Sequence, residues 1–260
     1  RYLYHKVNQG HTMENIFHSM ELDDMLEDFL ENSTEKRYSK KSELDEKTAD
    51  EIKAYLKRNW ETVLGHYKEQ LDAGRKYYQE VLSGCQRAVA VDVGWAGSGA
   101  VTLNYVVNEI WGLECEVIGL VAGTNSVYNQ EPDTSESLLQ SGALHSYMYS
   151  QKHNRDLWKM HNPNQGDNII VELLLASEKQ SFRRFSSEQS GFVFCDKKNE
   201  INASEVQRGI IDFVNYYLER MQDIPKISGR DAYAPITVLL ENRNWVKKII
   251  SDEEVTMNLE

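Results

Sequence analysis

The chain has 260 residues, 40% of them hydrophobic, which is enough for one large domain or for a domain with a helical annex. Its 41 acidic residues outnumber the 29 basic ones, and the net charge of −12 disfavours a phosphate-rich polymer as partner. Nucleic acid is therefore not predicted to bind, and no apolar run approaches the roughly 20 residues of a membrane span.

The three cysteines, Cys85, Cys115 and Cys195, are widely separated and odd in number. This spacing supports neither a zinc knuckle nor a disulfide framework. Free thiols are typical of a reducing compartment, so we predict a cytoplasmic protein. The sequence assigns no metal site. The first residue is Arg1 rather than Met, which is compatible with a piece of a longer protein.

Residues 1–82 are predicted to form a helical segment that packs on, or leads into, the core. Apolar residues within 22–30 recur at three- and four-residue spacing, which indicates one helix. Ser42 is the predicted N-cap of a second helix, with Asp45 near its positive end. An apolar stripe with a 3.6-residue period continues to Val81 and predicts a single helix of about 35 residues.

Residues 83–260 are predicted to form an α/β domain, and its first half alternates regularly. Ala88–Val91 is a continuous apolar run, which is typical of a strand buried on both faces. An amphipathic helix follows it, and Val117–Val121 is the next apolar run. This order predicts a βαβ unit with parallel strands and a right-handed crossover.

The second half is less regular. Residues 137–149 fit either a strand or a helix, 162–167 form a loop, and 192–195 a strand. Helices are predicted near 169–176 and over 205–221, the latter with a buried side formed by Ile210, Ile211, Phe213, Val214 and Leu218. The sequence thus predicts an α/β fold: a three-layer, mostly parallel sheet of Rossmann-like or phosphoribosyltransferase-like type with an N-terminal helical segment.

The turn after the first strand is the strongest candidate site, since ligands of parallel α/β sheets bind where strands end and helices begin. The amides of Gly94, Gly97 and Gly99 would hold an anion, with Ser98 as a hydroxyl donor. Asp92 is the candidate catalytic residue, placed to bind a ribose hydroxyl, a metal or a nucleophilic water. Alternatively, the glycines only make a tight turn and Asp92 caps the helix.

A second polar turn follows the next strand and would lie beside the first one at the same edge of the sheet. The alternative is an ordinary surface loop. With it, the predicted ligand-binding residues are Gly94, Trp95, Gly97, Ser98, Gly99, Thr124 and Asn125.

The other polar candidates have weaker patterns. His145, His153 and His161 are spaced eight residues apart, unlike helical zinc ligands, and are predicted to be solvated or core histidines. Glu172 lies in an apolar run and is either a buried acid or, as we favour, a solvent-facing residue. Arg183–Arg184 is interpreted as a surface pair.

The order of these features resembles the C-terminal region of bacterial haloacid-dehalogenase (HAD) type proteins from surface-polysaccharide gene clusters. In that family a strand and turn of the form VD[IV]G[WY]xG[ST] follow a helix with paired aromatic residues. Here Tyr77–Tyr78 precede Val91–Ser98. Looser matches, which extend the likeness over most of the chain after Tyr77, are Glu172–Leu174, Ser181–Phe182 and Val206–Phe213.

The sequence departs from the HAD pattern at a position that phosphatase chemistry requires. HAD phosphatases use a nucleophilic Asp and a second Asp two residues later. Gly94 stands at that second position after Asp92, and no DxDx[TV] motif occurs in the chain. The resemblance therefore implies the downstream half of such a protein, without its hydrolase activity. A phosphoribosyltransferase loop is a more distant analogy, and its second acidic residue is missing because Val93 follows Asp92.

We therefore expect an α/β module that binds a phosphate, a sugar phosphate or a nucleotide sugar and serves surface-glycan assembly. A hydrolase or glycosyltransferase domain is its expected partner, and the sequence assigns no cofactor. Two alternatives stay open. One is a non-catalytic interaction domain that docks a partner through its long N-terminal helix; the other is a transferase of phosphoribosyl type, which needs a second acidic residue or a metal near Asp92.

Overall fold

The chain divides into two compact units. The first comprises Arg1–Ala73 and Phe185–Ser187, and the second comprises Gly74–Arg184 and Glu188–Glu260. A computed structural model describes residues 2–7, 10–33, 38–124, 135–175, 180–188, 191–195, 203–221 and 226–244.

The first unit is built from helices around an apolar core. These helices are α1 (Tyr2–Lys6), α2 (Met13–Ser19), α3 (Met25–Asn32), α4 (Glu46–Arg58) and the first part of α5 (Trp60–Val81). The helix predicted within residues 22–30 is present as α3. In the core the rings of Phe17 and Phe29 lie 5.4 Å apart, and Phe29 meets Tyr55 edge-on.

The prediction of one helix of about 35 residues is wrong at two points. The helix is interrupted at Asn59, which ends α4 and donates its side-chain amide to the Tyr55 carbonyl at 3.1 Å. Its N-cap is Asp45 rather than Ser42, because the Asp45 carboxylate accepts from the Thr48 amide at 2.8 Å. Short polar side chains that bond nearby backbone compete with helix continuation, and apolar periodicity carries no sign of this.

The second unit contains a parallel sheet with helices packed against it. Strands β1 (Arg87–Asp92), β2 (Glu116–Gly123) and β3 (Leu144–Tyr149) are hydrogen-bonded in that order, and β4 (Phe182–Phe185) pairs with β5 (Phe192–Phe194). Its helices are the end of α5, α6 (Ser98–Tyr105), α7 (Glu136–Ser141), α8 (Arg155–Met160), α9 (Asp167–Leu174), α10 (Ala203–Arg220) and α11 (Gly229–Glu241). The predicted parallel βαβ unit is confirmed as β1-α6-β2, and the protein is of mixed α/β class.

Helix α6 packs closely on one face of this sheet. A Cβ added at Gly119 in β2 would come within 2.8 Å of the Ala100 Cβ on α6. A π-helical turn, Val106–Ile110, continues the helix, and its Val107 is buried with Val117 of β2. This packing places the first residues of α6 beside the carboxyl end of β1.

The opposite face of β1 is open, contrary to the prediction of a strand buried on both faces. Val89 and Val91 are 57% and 78% exposed, whereas Ala88 and Ala90 pack into the core beneath α6. The prediction failed because the described residues place a helical layer on only one side of β1. A continuous apolar run does not distinguish this arrangement from a fully enclosed strand.

In the less regular half, most predicted elements are present. Residues 137–149 contain both a helix and a strand, the two structures that the pattern allowed, since α7 precedes β3. Elements α9, β5 and α10 lie where the sequence predicts them. The predicted loop at 162–167 contains the short 3₁₀ turn Pro163–Gln165 and leads into α9. The buried side predicted for α10 is wrong, because Ile211, Phe213, Val214 and Leu218 are exposed.

Candidate functional site

The Asp92 turn, residues 92–99, connects β1 to α6. Asp92 Oδ1 accepts a hydrogen bond from the Gly94 amide at 2.8 Å, so the carboxylate folds back over its own turn. A Cβ at Gly94 would lie 2.3 Å from Asp92 Oδ2, so a larger residue there would displace the carboxylate from this position. The same oxygen lies 3.7 Å from the Cβ position of Gly99 in the first turn of α6. Asp92 is exposed, so this oxygen is available to a ligand.

Gly97 is the N-cap of α6 and the most constrained residue of the turn. Its φ of +63° lies in the left-handed region, which glycine enters without strain. A Cβ built on it would lie 2.5 Å from both Cδ atoms of Leu144, the first residue of β3. The turn therefore packs directly against β3 at Gly97.

The first turn of α6 presents unused backbone donors. The first helical hydrogen bond runs from the Val101 amide to the Gly97 carbonyl at 3.2 Å. Within the described ranges, the preceding amides of Ser98, Gly99 and Ala100 have no acceptor, and no side chain caps the helix. Ser98 and Gly99 are exposed, so their amides face solvent at the positive end of the helix dipole.

Thr124 follows β2 and lies at the same sheet edge, since the three parallel strands end there together. Its amide donates to the Tyr149 carbonyl at the end of β3, at 3.0 Å. The side chain is fully buried, and its hydroxyl has no hydrogen-bond partner in the part of the chain that the structure describes. Asn125, the other predicted residue of this turn, lies outside the described residues.

The start of α7 also lies against the Asp92 turn. Ser135 donates its hydroxyl to the Ala96 carbonyl at 3.2 Å, which joins α7 to the middle of the turn. The next residue, Glu136, accepts hydrogen bonds from Lys152 and Gln140, and these hold the pKa of its carboxyl below the usual value. Sequence spacing gave no indication of this contact.

Trp95 points away from solvent and anchors the turn. Its ring packs against His161 with centroids 5.1 Å apart and stacks on Tyr149 at 6.4 Å. Its indole Nε1 donates to Glu172 Oε1 at 2.8 Å. Glu172 is exposed, as the sequence suggested, yet one of its oxygens holds this indole. Trp95 therefore acts as a structural link between the turn and α9.

His161 is the fully buried centre of this aromatic cluster, as one of the two interpretations of the histidines predicted. Its Nε2 donates to Asn168 Oδ1 at 2.9 Å, and its Nδ1 accepts from the Tyr233 hydroxyl at 2.8 Å. Desolvation lowers the pKa of the imidazole and raises the pKa of Tyr233, so both groups are neutral at pH 7. His145 and His153 are exposed and lie outside the cluster.

Beside the cluster lies a buried charge pair that the sequence did not reveal. The carboxylate of Asp167 accepts from Arg243 Nη2 at 2.5 Å and from the Asn162 amide at 2.8 Å. Within the described ranges, no group of three or more His, Cys, Asp and Glu side chains is arranged to hold a metal ion. No helix in the described part of the chain is both long and apolar enough to cross a membrane.

The fold and the site together define a unit of mixed α/β class with a polar, glycine-rich turn at the carboxyl edge of a parallel sheet. Comparison with protein-family models, with curated proteins and with solved structures finds no match to this chain.

Proposed function

We propose that this protein binds a phosphorylated small molecule, a sugar phosphate or a nucleotide sugar, at the Asp92 turn. The observation that carries the proposal is that the amides of Ser98, Gly99 and Ala100 have no acceptor among the described residues, with Asp92 Oδ2 3.7 Å from the Cβ position of Gly99. Amides at a helix N-terminus are a common anion site, because donors and dipole act together. A carboxylate next to them suits the hydroxyl of a sugar.

The two halves of the site have different tasks in this proposal. The α6 amides and the Ser98 hydroxyl hold the phosphate. Asp92 accepts from a sugar hydroxyl through Oδ2, since Oδ1 is engaged by Gly94. The buried hydroxyl of Thr124, which has no partner among the described residues, adds a donor or acceptor at the same edge. Asp92 is also the candidate catalytic residue, although Gly94 in place of a second aspartate speaks against phosphatase chemistry.

The wider setting of the proposal comes from the resemblance to HAD-type proteins of surface-polysaccharide clusters. It suggests a cytoplasmic module of glycan assembly, with a hydrolase or glycosyltransferase domain as partner. The three parallel strands with α6 on one face agree with part of a three-layer sheet of Rossmann-like or phosphoribosyltransferase-like type.

The test compares two substitutions at Gly99, where an added Cβ meets only Asp92 Oδ2 at an ordinary contact distance. Gly99→Glu and Gly99→Gln place side chains of equal size at the mouth of the site and differ in charge. Inorganic phosphate, glucose 1-phosphate and UDP-glucose serve as probes in thermal-shift and calorimetric titrations. We expect the Glu variant to bind each phosphate compound roughly tenfold or more weakly than the Gln variant, because its carboxylate repels the anion.

Asp92→Asn tests the two halves of the site separately. It removes the charge of the carboxylate, while its amide oxygen can still accept the hydrogen bond from the Gly94 amide. This variant should weaken glucose 1-phosphate binding, while inorganic phosphate binding stays equal or improves as a negative charge is removed. Equal binding by both Gly99 variants, or no phosphate compound stabilising the wild-type chain, would overturn the proposal.

A further inference from the structure

The carboxyl edge of the parallel sheet carries two acidic side chains near the proposed phosphate site. Asp92 ends β1, and Glu136 begins α7 next to the Asp92 turn. Both carboxylates repel a phosphate, and the whole chain has a net charge of −12. The amides at the start of α6 carry only partial positive charges. A cationic side chain at this edge would offset the two carboxylates.

The sequence restricts which residue can supply this cation. Residues 88–151 contain no lysine or arginine, so the connections that follow β1 and β2 contribute none, and neither does α7. The connection that follows β3 contains Lys152, and Arg155 comes next as the first residue of α8. The guanidinium of Arg155 lies over the Trp158 ring of the same helix, 5.7 Å from its centroid. Lys152 is therefore the candidate cation.

A continuous series of contacts connects Lys152 to the Asp92 turn. Its ammonium nitrogen lies 2.5 Å from Glu136 Oε1. Glu136 directly follows Ser135, whose hydroxyl donates to the Ala96 carbonyl in the middle of the turn at 3.2 Å. Ala96 stands two residues before Ser98, the first of the three α6 residues whose amides have no acceptor in the described ranges. The ammonium thus belongs to the same edge of the sheet as these amides.

Two buried polar atoms at this edge have no hydrogen-bond partner among the described residues. One is the fully buried hydroxyl of Thr124, and the other is Glu136 Oε2. The second oxygen of Glu136 accepts from both Lys152 and Gln140. Buried polar atoms usually have partners, and functional sites are a common place for exceptions. The two atoms therefore support a polar ligand site at this edge.

The side chain of Lys152 is free to move, although its ammonium is paired. It is 63% exposed, whereas the side chain of Glu136 is 14% exposed. An exposed ion pair contributes little free energy, so the ammonium can leave the carboxylate at small cost. Lysine binds phosphate as a point charge on a flexible stem, which does not require one fixed geometry.

We propose that Lys152 is the cation of the phosphate site and that Glu136 is its partner when no phosphate is bound. This inference rests on the proposed function, because it names a further binding residue of the same site. A phosphate on the α6 amides competes with Glu136 for the ammonium. The dianion attracts the ammonium more strongly than a single carboxylate does, so Lys152 turns toward the ligand.

Calorimetric titration of the full chain with inorganic phosphate tests the role of Lys152. Lys152→Gln should raise the phosphate dissociation constant roughly tenfold, because a charge-assisted contact is lost. Lys152→Arg keeps the charge and should stay within about threefold of the wild type. Lys159→Gln is the matched control, since it removes the same charge from an exposed residue in the last turn of α8. It should change the dissociation constant less than about twofold, and circular dichroism confirms that each variant is folded.

Glu136→Gln distinguishes this role from a purely structural one. If the ion pair only stabilised the fold around the site, Glu136→Gln and Lys152→Gln would both weaken phosphate binding. In the proposed arrangement Glu136→Gln removes a competing negative charge, so phosphate should bind as tightly as to the wild type or more tightly.

The possible failures of this inference and of the proposed function differ. Equal phosphate binding by the wild type and by Lys152→Gln would overturn the role of Lys152 and leave the proposed function standing. Weaker binding by Glu136→Gln would overturn the competition between Glu136 and phosphate. A wild-type chain that binds no phosphate would overturn both the inference and the proposed function.

Discussion

Gly97→Ala is the substitution that most directly tests the account of the Asp92 turn. The new methyl group would occupy a residue with φ +63° and would lie 2.5 Å from both Cδ atoms of Leu144. Two separate penalties therefore arise, one from the backbone conformation and one from the overlap with β3.

The structure allows both penalties to be estimated. The left-handed conformation costs a non-glycine residue about 1–2 kcal/mol. Overlap of a methyl group with a packed side chain costs about 1–3 kcal/mol, since the neighbours must move. Gly97→Ala should thus lower the free energy of unfolding by about 2–5 kcal/mol.

Gly142→Ala is the matched control. Gly142 has a similar φ of +78° at the end of α7, but an added Cβ meets no atom within 4 Å. This variant should lose only the backbone part, about 1–2 kcal/mol. The difference between the two variants isolates the contact with Leu144.

Urea unfolding followed by tryptophan fluorescence measures these losses, because Trp95 lies two residues before Gly97. A double-mutant cycle with Leu144→Ala adds a second check: with the leucine removed, Gly97→Ala should cost about as much as Gly142→Ala. Equal losses for Gly97→Ala and Gly142→Ala in the wild-type background would refute the argument that Gly97 is pressed against β3.

Two further predictions concern the buried polar groups behind the turn. Burial lowers the pKa of His161 below its ordinary value of 6.5, so the unfolded chain binds the proton more readily and stability should fall as the pH drops below about 6.5. Urea titrations at about pH 7.5 and pH 5.5 should show a smaller loss for His161→Gln, which does not titrate at this position. Arg243→Gln leaves the buried carboxylate of Asp167 without its cation and should lower the free energy of unfolding by about 3 kcal/mol in the same assay.

The controls for these two predictions use groups of similar chemistry in exposed positions. Arg230 forms a bidentate ion pair with Asp156, with both N–O distances at 2.7 Å, and both side chains are exposed. Arg230→Gln should therefore leave the free energy of unfolding almost unchanged. Equal losses for Arg230→Gln and Arg243→Gln would contradict the role assigned to burial. The same pH dependence in wild type and in His161→Gln would show that another group controls acid stability.

The β1-α6-β2 unit could be predicted from the sequence because its signals are local. Apolar runs mark β1 and β2, glycines mark the turn, and a strand followed by a helix and a strand leaves few topologies. The sequence predicts a need for glycine at Gly94 and Gly97, because both residues lie in a tight turn. Its physical cause, contact with Asp92 and Leu144, required the structure.

The side chains that pack behind the Asp92 turn could not be predicted from the sequence, because they are far apart along the chain. Trp95 meets Glu172 and His161 only after the chain has passed through two further strands and three helices. Histidine spacing carries no signal for such a contact. An isolated Glu in an apolar run was the one available hint, since a buried indole nitrogen usually finds an acceptor.

The two wrong burial predictions, for β1 and for α10, concern apolar side chains that the described residues leave exposed. In a sheet with one solvated face, large apolar side chains point inward and polar ones outward. β1 has the reverse arrangement, with Ala88 and Ala90 inward and the larger Val89 and Val91 exposed. The apolar run thus describes a strand with two covered faces, and α10 describes a helix with one covered face.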